Sequence, residues 1–76
     1  LPLAYHALER GGNIPTIYNA ANEYAVARFL EHKISYLDIT RMIEQSMESI
    51  ALIQNPNLEE ILYTEQETYR YLEAQM

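Results

Sequence analysis

The stretch that decides the fold is Asn19-Ala20-Ala21-Asn22-Glu23-Tyr24-Ala25-Val26-Ala27-Arg28-Phe29-Leu30. Its apolar side chains recur at the spacing of an α-helix, because Ala21, Ala25 and Phe29 are four residues apart and share one face. Asn19 is a favourable N-cap, since its side-chain oxygen can accept a hydrogen bond from a free backbone N–H of the first turn. The sequence therefore predicts a helix over residues 20–31, whose alanines allow neighbouring helices to approach closely.

A shorter helix is predicted upstream of this stretch. Residues 2–10 carry apolar side chains at helical spacing, among them Leu3 and Ala7. The pair Gly11-Gly12 ends that pattern, because glycine readily takes the left-handed conformation that closes a helix. Residues 13–18, which contain a proline, are then predicted to form a short connection.

A third helix is predicted over residues 36–52. It follows the sequence Ser-Tyr-Leu-Asp at residues 35–38, which is typical of a capping box. Asn55-Pro56-Asn57 is a turn signal. Asn57 can cap the short helical turn that we predict over residues 58–62.

The last helix is predicted over residues 65–75. Thr64 and Glu67 form a second capping-box pattern. No segment has the sustained alternation that is typical of a half-buried strand. The predicted fold class is therefore all-α, with residues 1–76 forming one small bundle of four main helices plus a short extra helical turn. The apolar row of the last helix consists of Tyr69, Leu72 and Met76.

The charge balance excludes two kinds of partner. The chain has 76 residues, of which 49% are hydrophobic, and its formal net charge is −6. A negative domain repels nucleic acid phosphates and anionic membranes, so we expect neither as a partner. The sequence has no cysteine, which excludes disulfides and cysteine-ligated zinc and is typical of a cytoplasmic protein.

The sequence contains no specific catalytic or metal-binding motif. His6 and Glu9 are three residues apart and could share a metal ion, but a pair needs further ligands from other helices, so a solvated face is favoured. His32 is interpreted as a polar loop residue. Four glutamates could suggest paired carboxylates for acid–base chemistry, yet helix starts favour such residues because of the helix dipole. These are Glu59, Glu60, Glu65 and Glu67. We therefore expect no catalytic, cofactor-binding or metal-binding residue in this chain.

Tyrosine is the most informative residue type, because seven are too many for the interior of so small a domain. An aromatic ring with a polar tip suits a half-buried seam between helices, and it equally suits an interface with a partner. Both interpretations remain open. The seven are Tyr5, Tyr18, Tyr24, Tyr36, Tyr63, Tyr69 and Tyr71.

The run Asn19-Ala20-Ala21-Asn22-Glu23, followed by Ala25-Val26-Ala27-Arg28-Phe29-Leu30, resembles the motif that begins the central helix in the C-terminal domain of the 1-deoxy-D-xylulose 5-phosphate reductoisomerase family. The segments on either side of this run also resemble the family. Residues 3–12 are similar to the family's preceding helix and its glycine-containing end, and residues 34–39 resemble the start of its next helix. Residues 57–62 and the last helix resemble the family's C-terminal end, so the resemblance covers essentially the whole chain.

The resemblance implies a place in a larger enzyme. Enzymes of this family convert deoxyxylulose phosphate into methylerythritol phosphate for isoprenoid biosynthesis, by a rearrangement and a reduction with NADPH that a divalent metal assists. Those functions belong to upstream domains, and none of the family's catalytic or metal-binding positions matches a residue here. The implied role is a non-catalytic structural domain that packs against the catalytic domain of the same chain, within a homo-oligomeric cytoplasmic enzyme. The alternative is a free-standing acidic helical module that docks onto another protein.

A candidate docking surface lies near the start of the second predicted helix. Asn19, Asn22 and Glu23 place three polar groups within about one helical turn, and asparagine is unfavourable in a helix interior unless its amide has a partner. Tyr18 and Tyr24 flank them and stand where the family commonly has smaller aliphatic residues. We therefore predict that these five residues contact the catalytic domain. The alternative is that Asn22 and Glu23 are solvated first-turn residues, with Glu23 favoured by the helix dipole.

Overall fold

The computed structural model describes the backbone of residues 2–75 and the side chains of residues 3–75. No strand occurs within that range, and the all-α prediction is confirmed. Leu1 and Met76 lie outside the described residues, and with them the predicted place of Met76 in the last apolar row. Four helices are present: α1 (Pro2–Arg10), α2 (Ile14–Leu30), α3 (Tyr36–Ser49) and α4 (Leu58–Gln75).

Helix α2 begins earlier than predicted, at Ile14 instead of residue 20. Pro15 is one of its first two residues, where the missing N–H breaks no bond inside the helix and the fixed φ favours helix formation. The carbonyl oxygen of Asn13 accepts the first bond, from the N–H of Ile17 at 3.0 Å. Asn19 therefore lies in the second turn of α2, and its predicted role as the N-cap is wrong.

Helix α4 is continuous, so the predicted division into a short turn over 58–62 and a helix over 65–75 is wrong. Thr64 does not cap a new helix, because its hydroxyl donates a 2.8 Å bond to the carbonyl oxygen of Glu60 in the preceding turn. The predicted cap at Asn57 is confirmed. Its side-chain oxygen accepts a bond from the N–H of Glu60 at 2.8 Å, and the Glu60 carboxylate accepts one from the N–H of Asn57 at 3.0 Å.

Helix α3 starts as predicted but ends at Ser49 instead of residue 52. Its capping box is present, since the Asp38 carboxylate accepts a bond from the N–H of Ser35 at 2.9 Å. Ile50 then adopts an extended conformation, with ψ 137°. The chain leaves the helical path of α3 at Ile50, because the residues that follow bind the start of α2.

Two helix ends depend on left-handed backbone. Gly11 and Gly12 follow α1 with φ values of +70° and +59°. At the end of α2 this position is taken by His32, with φ +62°. The N–H of His32 donates to the carbonyl oxygen of Phe29 at 2.9 Å, and that of Lys33 donates to the carbonyl oxygen of Arg28 at 3.0 Å. This pair of bonds is the Schellman arrangement, usually completed by glycine.

Helix α2 is the centre of the bundle, because it packs against each of the other three helices. Its buried side chains are mostly alanine, which allows the neighbouring backbones to come close. Helix α3 contributes two methionines and an isoleucine to the same core, and α4 contributes Leu72. The core consists of Ala7, Ile14, Ile17, Ala20, Ala21, Ala25, Met42, Ile43, Met47 and Leu72.

Candidate docking site

The side chain of Asn13 joins three parts of the fold and is fully buried. Its amide nitrogen donates to the carbonyl oxygen of Ala51 and to the hydroxyl of Thr64, both at 3.0 Å. Its amide oxygen accepts a bond from the N–H of Ile53 at 2.9 Å. Every polar atom of the amide thus has a partner, and the start of α2 is fixed against α4 and the segment between α3 and α4.

Sequence reasoning missed Asn13, because residues 13–18 were predicted to be a connection. A signal was present in the sequence, since Asn followed by Ile14-Pro15 is the pattern of a helix start. Asn13 makes no side-chain capping bond, however, and uses its amide for tertiary contacts instead. Those partners are 38 to 51 residues away along the chain, so local spacing alone could not have identified them.

Two of the five predicted docking residues, Tyr18 and Asn22, line an open groove of about 470 Å³ between α1 and α3. These two side chains are the part of the groove lining that α2 contributes, and α2 packs against both helices that flank the groove. We call this cavity the α1–α3 groove. Its remaining lining residues are Leu3 and His6 from α1, and Tyr36, Ile39, Thr40, Ile43 and Glu44 from α3.

Glu23 and Tyr24 instead contact α4. The Tyr69 hydroxyl donates a 2.6 Å hydrogen bond to the Glu23 carboxylate. This bond is the main reason that the pKa of Tyr69 is raised to about 12, and burial adds to it. The Tyr24 and Tyr69 rings lie 6.5 Å apart, and the Arg28 guanidinium lies 4.7 Å from the centre of the Tyr24 ring. This part of the predicted surface therefore already has partners inside the domain.

Asn19 is exposed and lies on α2 away from the buried row. The five predicted residues consequently do not form one patch. Tyr18 and Asn22 face the α1–α3 groove, whereas Glu23 and Tyr24 face the seam with α4. The distinction matters for docking, because the α2 side chains in the groove have no helix packed over them, whereas Glu23 and Tyr24 contact α4.

The tyrosines divide between the two interpretations that the sequence left open. Tyr18, Tyr24 and Tyr71 pack against the core, and Tyr69 is partly buried beside Tyr24. The other three side chains are 59–71% exposed. Exposed apolar rings are also the residue type that interfaces favour. The exposed group consists of Tyr5, Tyr36 and Tyr63.

The charged side chains form short-range pairs on the surface. Arg28 donates two bonds to the Glu31 carboxylate, at 3.0 and 3.1 Å, and they hold the pKa of Glu31 below its ordinary value.

His6 and Glu9 are the pair considered for a metal ion. Both are exposed, and 3.9 Å separates Nδ1 of His6 from Oε1 of Glu9. Among residues 2–75, no three acidic or imidazole side chains lie close enough together to hold a metal ion. No helix in the described part of the chain is long and apolar enough to cross a membrane.

Comparison with known proteins assigns the bundle to a protein family. The family described as the DXP reductoisomerase C-terminal domain matches residues 1–71, which is most of the chain. The chain belongs to this reductoisomerase C-terminal domain family. No solved structure matched the chain.

Proteins of the reductoisomerase family that resemble this chain are much longer than it is. The 1-deoxy-D-xylulose 5-phosphate reductoisomerase of Lachnoclostridium phytofermentans is 51% identical over 99% of this chain and 19% of its own length. That of Lachnospira eligens is 60% identical over 86% of this chain and 17% of its own length. That of Agathobacter rectalis is 56% identical over 95% of this chain and 19% of its own length. The chain therefore spans about a fifth of the curated relatives that it matches.

Proposed function

We propose that this chain is the non-catalytic C-terminal structural domain of a reductoisomerase, and that it packs against the catalytic domain of the same protein. The observation that carries the proposal is the family match over residues 1–71 together with relatives about five times as long. The resemblance adds the reaction, which is conversion of deoxyxylulose phosphate into methylerythritol phosphate. A homo-oligomeric enzyme in the cytoplasm is part of the same proposal.

The resemblance also implies NADPH and a divalent metal in the complete enzyme. The described residues do not fit either group. Residues 2–75 lack a cluster of metal ligands, and both glycines belong to the turn between α1 and α2. When bound elsewhere in the enzyme, the metal and NADPH would supply Lewis-acid and hydride chemistry. We therefore assign no catalytic step to this domain.

The first test is an assay of the 76-residue chain with deoxyxylulose phosphate, NADPH and a divalent metal. We expect no NADPH oxidation above that of a blank preparation. Full-length enzyme from the same source is the positive control. Turnover by the chain alone would show that the domain assignment is wrong.

The second test addresses docking in the full-length enzyme. Asn22→Ala and Glu23→Ala should weaken domain packing and lower turnover, without removing a group that touches substrate. Asn22 faces the α1–α3 groove and Glu23 binds Tyr69, so the two variants also separate the two flanks of α2. Normal stability and turnover in both would rule out docking through these residues. A reading frame that encodes this bundle alone would favour a free-standing interaction module.

A further inference from the structure

The α1–α3 groove combines apolar surface with several polar positions. Tyr18, Tyr36 and Ile39 supply apolar surface. The polar side chains are His6, Asn22, Thr40 and Glu44. Within residues 3–75, the Asn22 side chain has no hydrogen-bond partner and Glu44 has no ion-pair partner. Polar groups placed among apolar side chains fix the orientation of an occupant.

We propose that the α1–α3 groove binds an apolar segment carrying a lysine or arginine, supplied by the rest of the full-length chain. The cation would pair with Glu44, and a polar group of the segment would bind the Asn22 amide. This inference rests on the proposed function and names the docking surface within it. Such a segment is available in a full-length protein, since relatives have about four-fifths of their residues outside the matched region.

The charge of the domain disfavours a second copy as the occupant. Each copy has a formal net charge of −6. Two copies that associate through this face would each bring a Glu44 carboxylate to the interface, and like charges that face each other in an interface are unfavourable. A cationic segment from the same chain meets no such penalty.

The bundle offers a matched control surface at its other end. Tyr63 is 59% exposed and Tyr36 is 71% exposed, so both are accessible tyrosines. Tyr36 lines the α1–α3 groove, whereas Tyr63 lines a separate cleft of about 280 Å³ beside Ser49 and Glu67. The same photoreactive residue can therefore be placed at each site with a similar change in size.

The experiment uses the full-length protein with p-benzoylphenylalanine introduced at Tyr36 or, in a second protein, at Tyr63. After irradiation, mass spectrometry identifies the cross-linked peptides, and mixing isotopically light and heavy protomers separates links within a chain from links between chains. We expect Tyr36 to link to an upstream segment of its own chain that contains a lysine or arginine. A link from Tyr36 to another protomer's bundle would overturn the inference.

The two positions also separate failure of the groove from failure of the proposed function. If Tyr63 links to the catalytic domain and Tyr36 does not, the groove inference is wrong but packing of the domain remains supported. If neither position links to the upstream chain, the groove inference is wrong, and the turnover of the Asn22→Ala and Glu23→Ala enzymes then decides the packing role. Either result is informative because both probes lie on exposed surface.

Charge reversal tests the predicted cation. In the Tyr36 probe protein, Glu44→Lys should lower the cross-link yield about tenfold, because like charges at one contact are strongly unfavourable. Glu73→Lys is the matched control, since it makes the same change in net charge at an exposed position of α4. Equal yields in the two variants would rule out a cation opposite Glu44.

Discussion

The amide nitrogen of Asn13 donates a 3.0 Å hydrogen bond to the hydroxyl of Thr64, which lies 51 residues farther along the chain. The same Thr64 hydroxyl donates to the carbonyl oxygen of Glu60 at 2.8 Å, so it acts as donor and acceptor at once. Asn13 and Thr64 are both buried. The contact therefore links the residue just before α2 to the second turn of α4 through two buried side chains.

Asn13→Ala should lower the free energy of unfolding by about 2 to 3 kcal/mol, because it removes three hydrogen bonds, of which the one to the Thr64 hydroxyl is buried. Asn19→Ala is the matched control. Asn19 is exposed inside α2, and alanine is the better helix former, so this variant should gain about 0.5 kcal/mol. Denaturant unfolding followed by circular dichroism measures both.

A pair of threonine variants completes that test. Thr64→Val removes the acceptor for Asn13, whereas Thr68→Val removes only a hydroxyl that bonds within α4, to the carbonyl oxygen of Thr64 at 2.8 Å. Thr64→Val should be the more damaging, and it should be non-additive with Asn13→Ala. Equal losses in the two valine variants would contradict a special role for the Asn13–Thr64 contact.

Gly12→Ala should be far more destabilising than Gly11→Ala. Both glycines have positive φ, so alanine at either position costs about 1 to 2 kcal/mol of backbone strain. A Cβ on Gly12 would also lie 2.5 Å from the carbonyl oxygen of Ile53, whereas one on Gly11 would meet nothing within 4 Å. Thermal melts of the two variants compare them directly. Similar melting temperatures would show that the segment at Ile53 can move aside at no cost.

His32→Gly should stabilise the bundle. His32 has φ +62° at the end of α2, and glycine relieves the left-handed strain at some cost in chain entropy, for a net gain of about 0.5 to 1 kcal/mol. Lys33→Gly, one residue later in the same exposed turn, is the control and should lower stability. A lower unfolding midpoint for His32→Gly would contradict the Schellman arrangement.

Tyr69 should ionise late in an alkaline titration, because its pKa is raised. Its pKa is raised from 10.0 to about 12, chiefly because its hydroxyl donates to the Glu23 carboxylate. The bonded form is the protonated phenol, so its contribution to stability is complete below pH 10.0 and is lost as the pH rises towards about 12. Ultraviolet absorbance of the phenolate follows the titration.

Three variants check the Tyr69 assignment. Tyr69→Phe should remove the latest step of the titration, and Glu23→Gln should move that step to lower pH. Tyr63→Phe, which removes an exposed tyrosine, should leave the latest step in place. A late step that survives Tyr69→Phe would show that another tyrosine is responsible.

Local chemistry in the sequence predicted much of the fold. The apolar spacing of Ala21 and Ala25, the box at Ser35 and the cap at Asn57 all act within one or two helical turns, so they could be identified without the structure. The errors arose where tertiary contacts compete with local signals. Thr64 fits a capping box, yet its hydroxyl bonds backward to Glu60 while accepting a bond from Asn13.

The candidate site was only partly predictable. Sequence reasoning selected Tyr18 and Asn22, which lie in the α1–α3 groove, but it grouped them with Glu23 and Tyr24, which contact α4. The start of α2 was placed too late, so the helical phase of these residues relative to α1 and α3 was unknown. Glu44 was not selected at all, because its position in the groove depends on how α3 packs.

The central place of α2 has a consequence for how the domain opens. Since α2 contacts every other helix and supplies five of the ten buried apolar residues, the backbone amides in its middle should exchange with deuterium only when the whole domain unfolds. Helix α1 is different, because its main helix partner is α2 and Ala7 is its buried contribution to the core. The backbone amides of α1 should exchange through local detachment of this helix, at a lower free energy of opening than those of α2. Such detachment would transiently open the α1–α3 groove on one side.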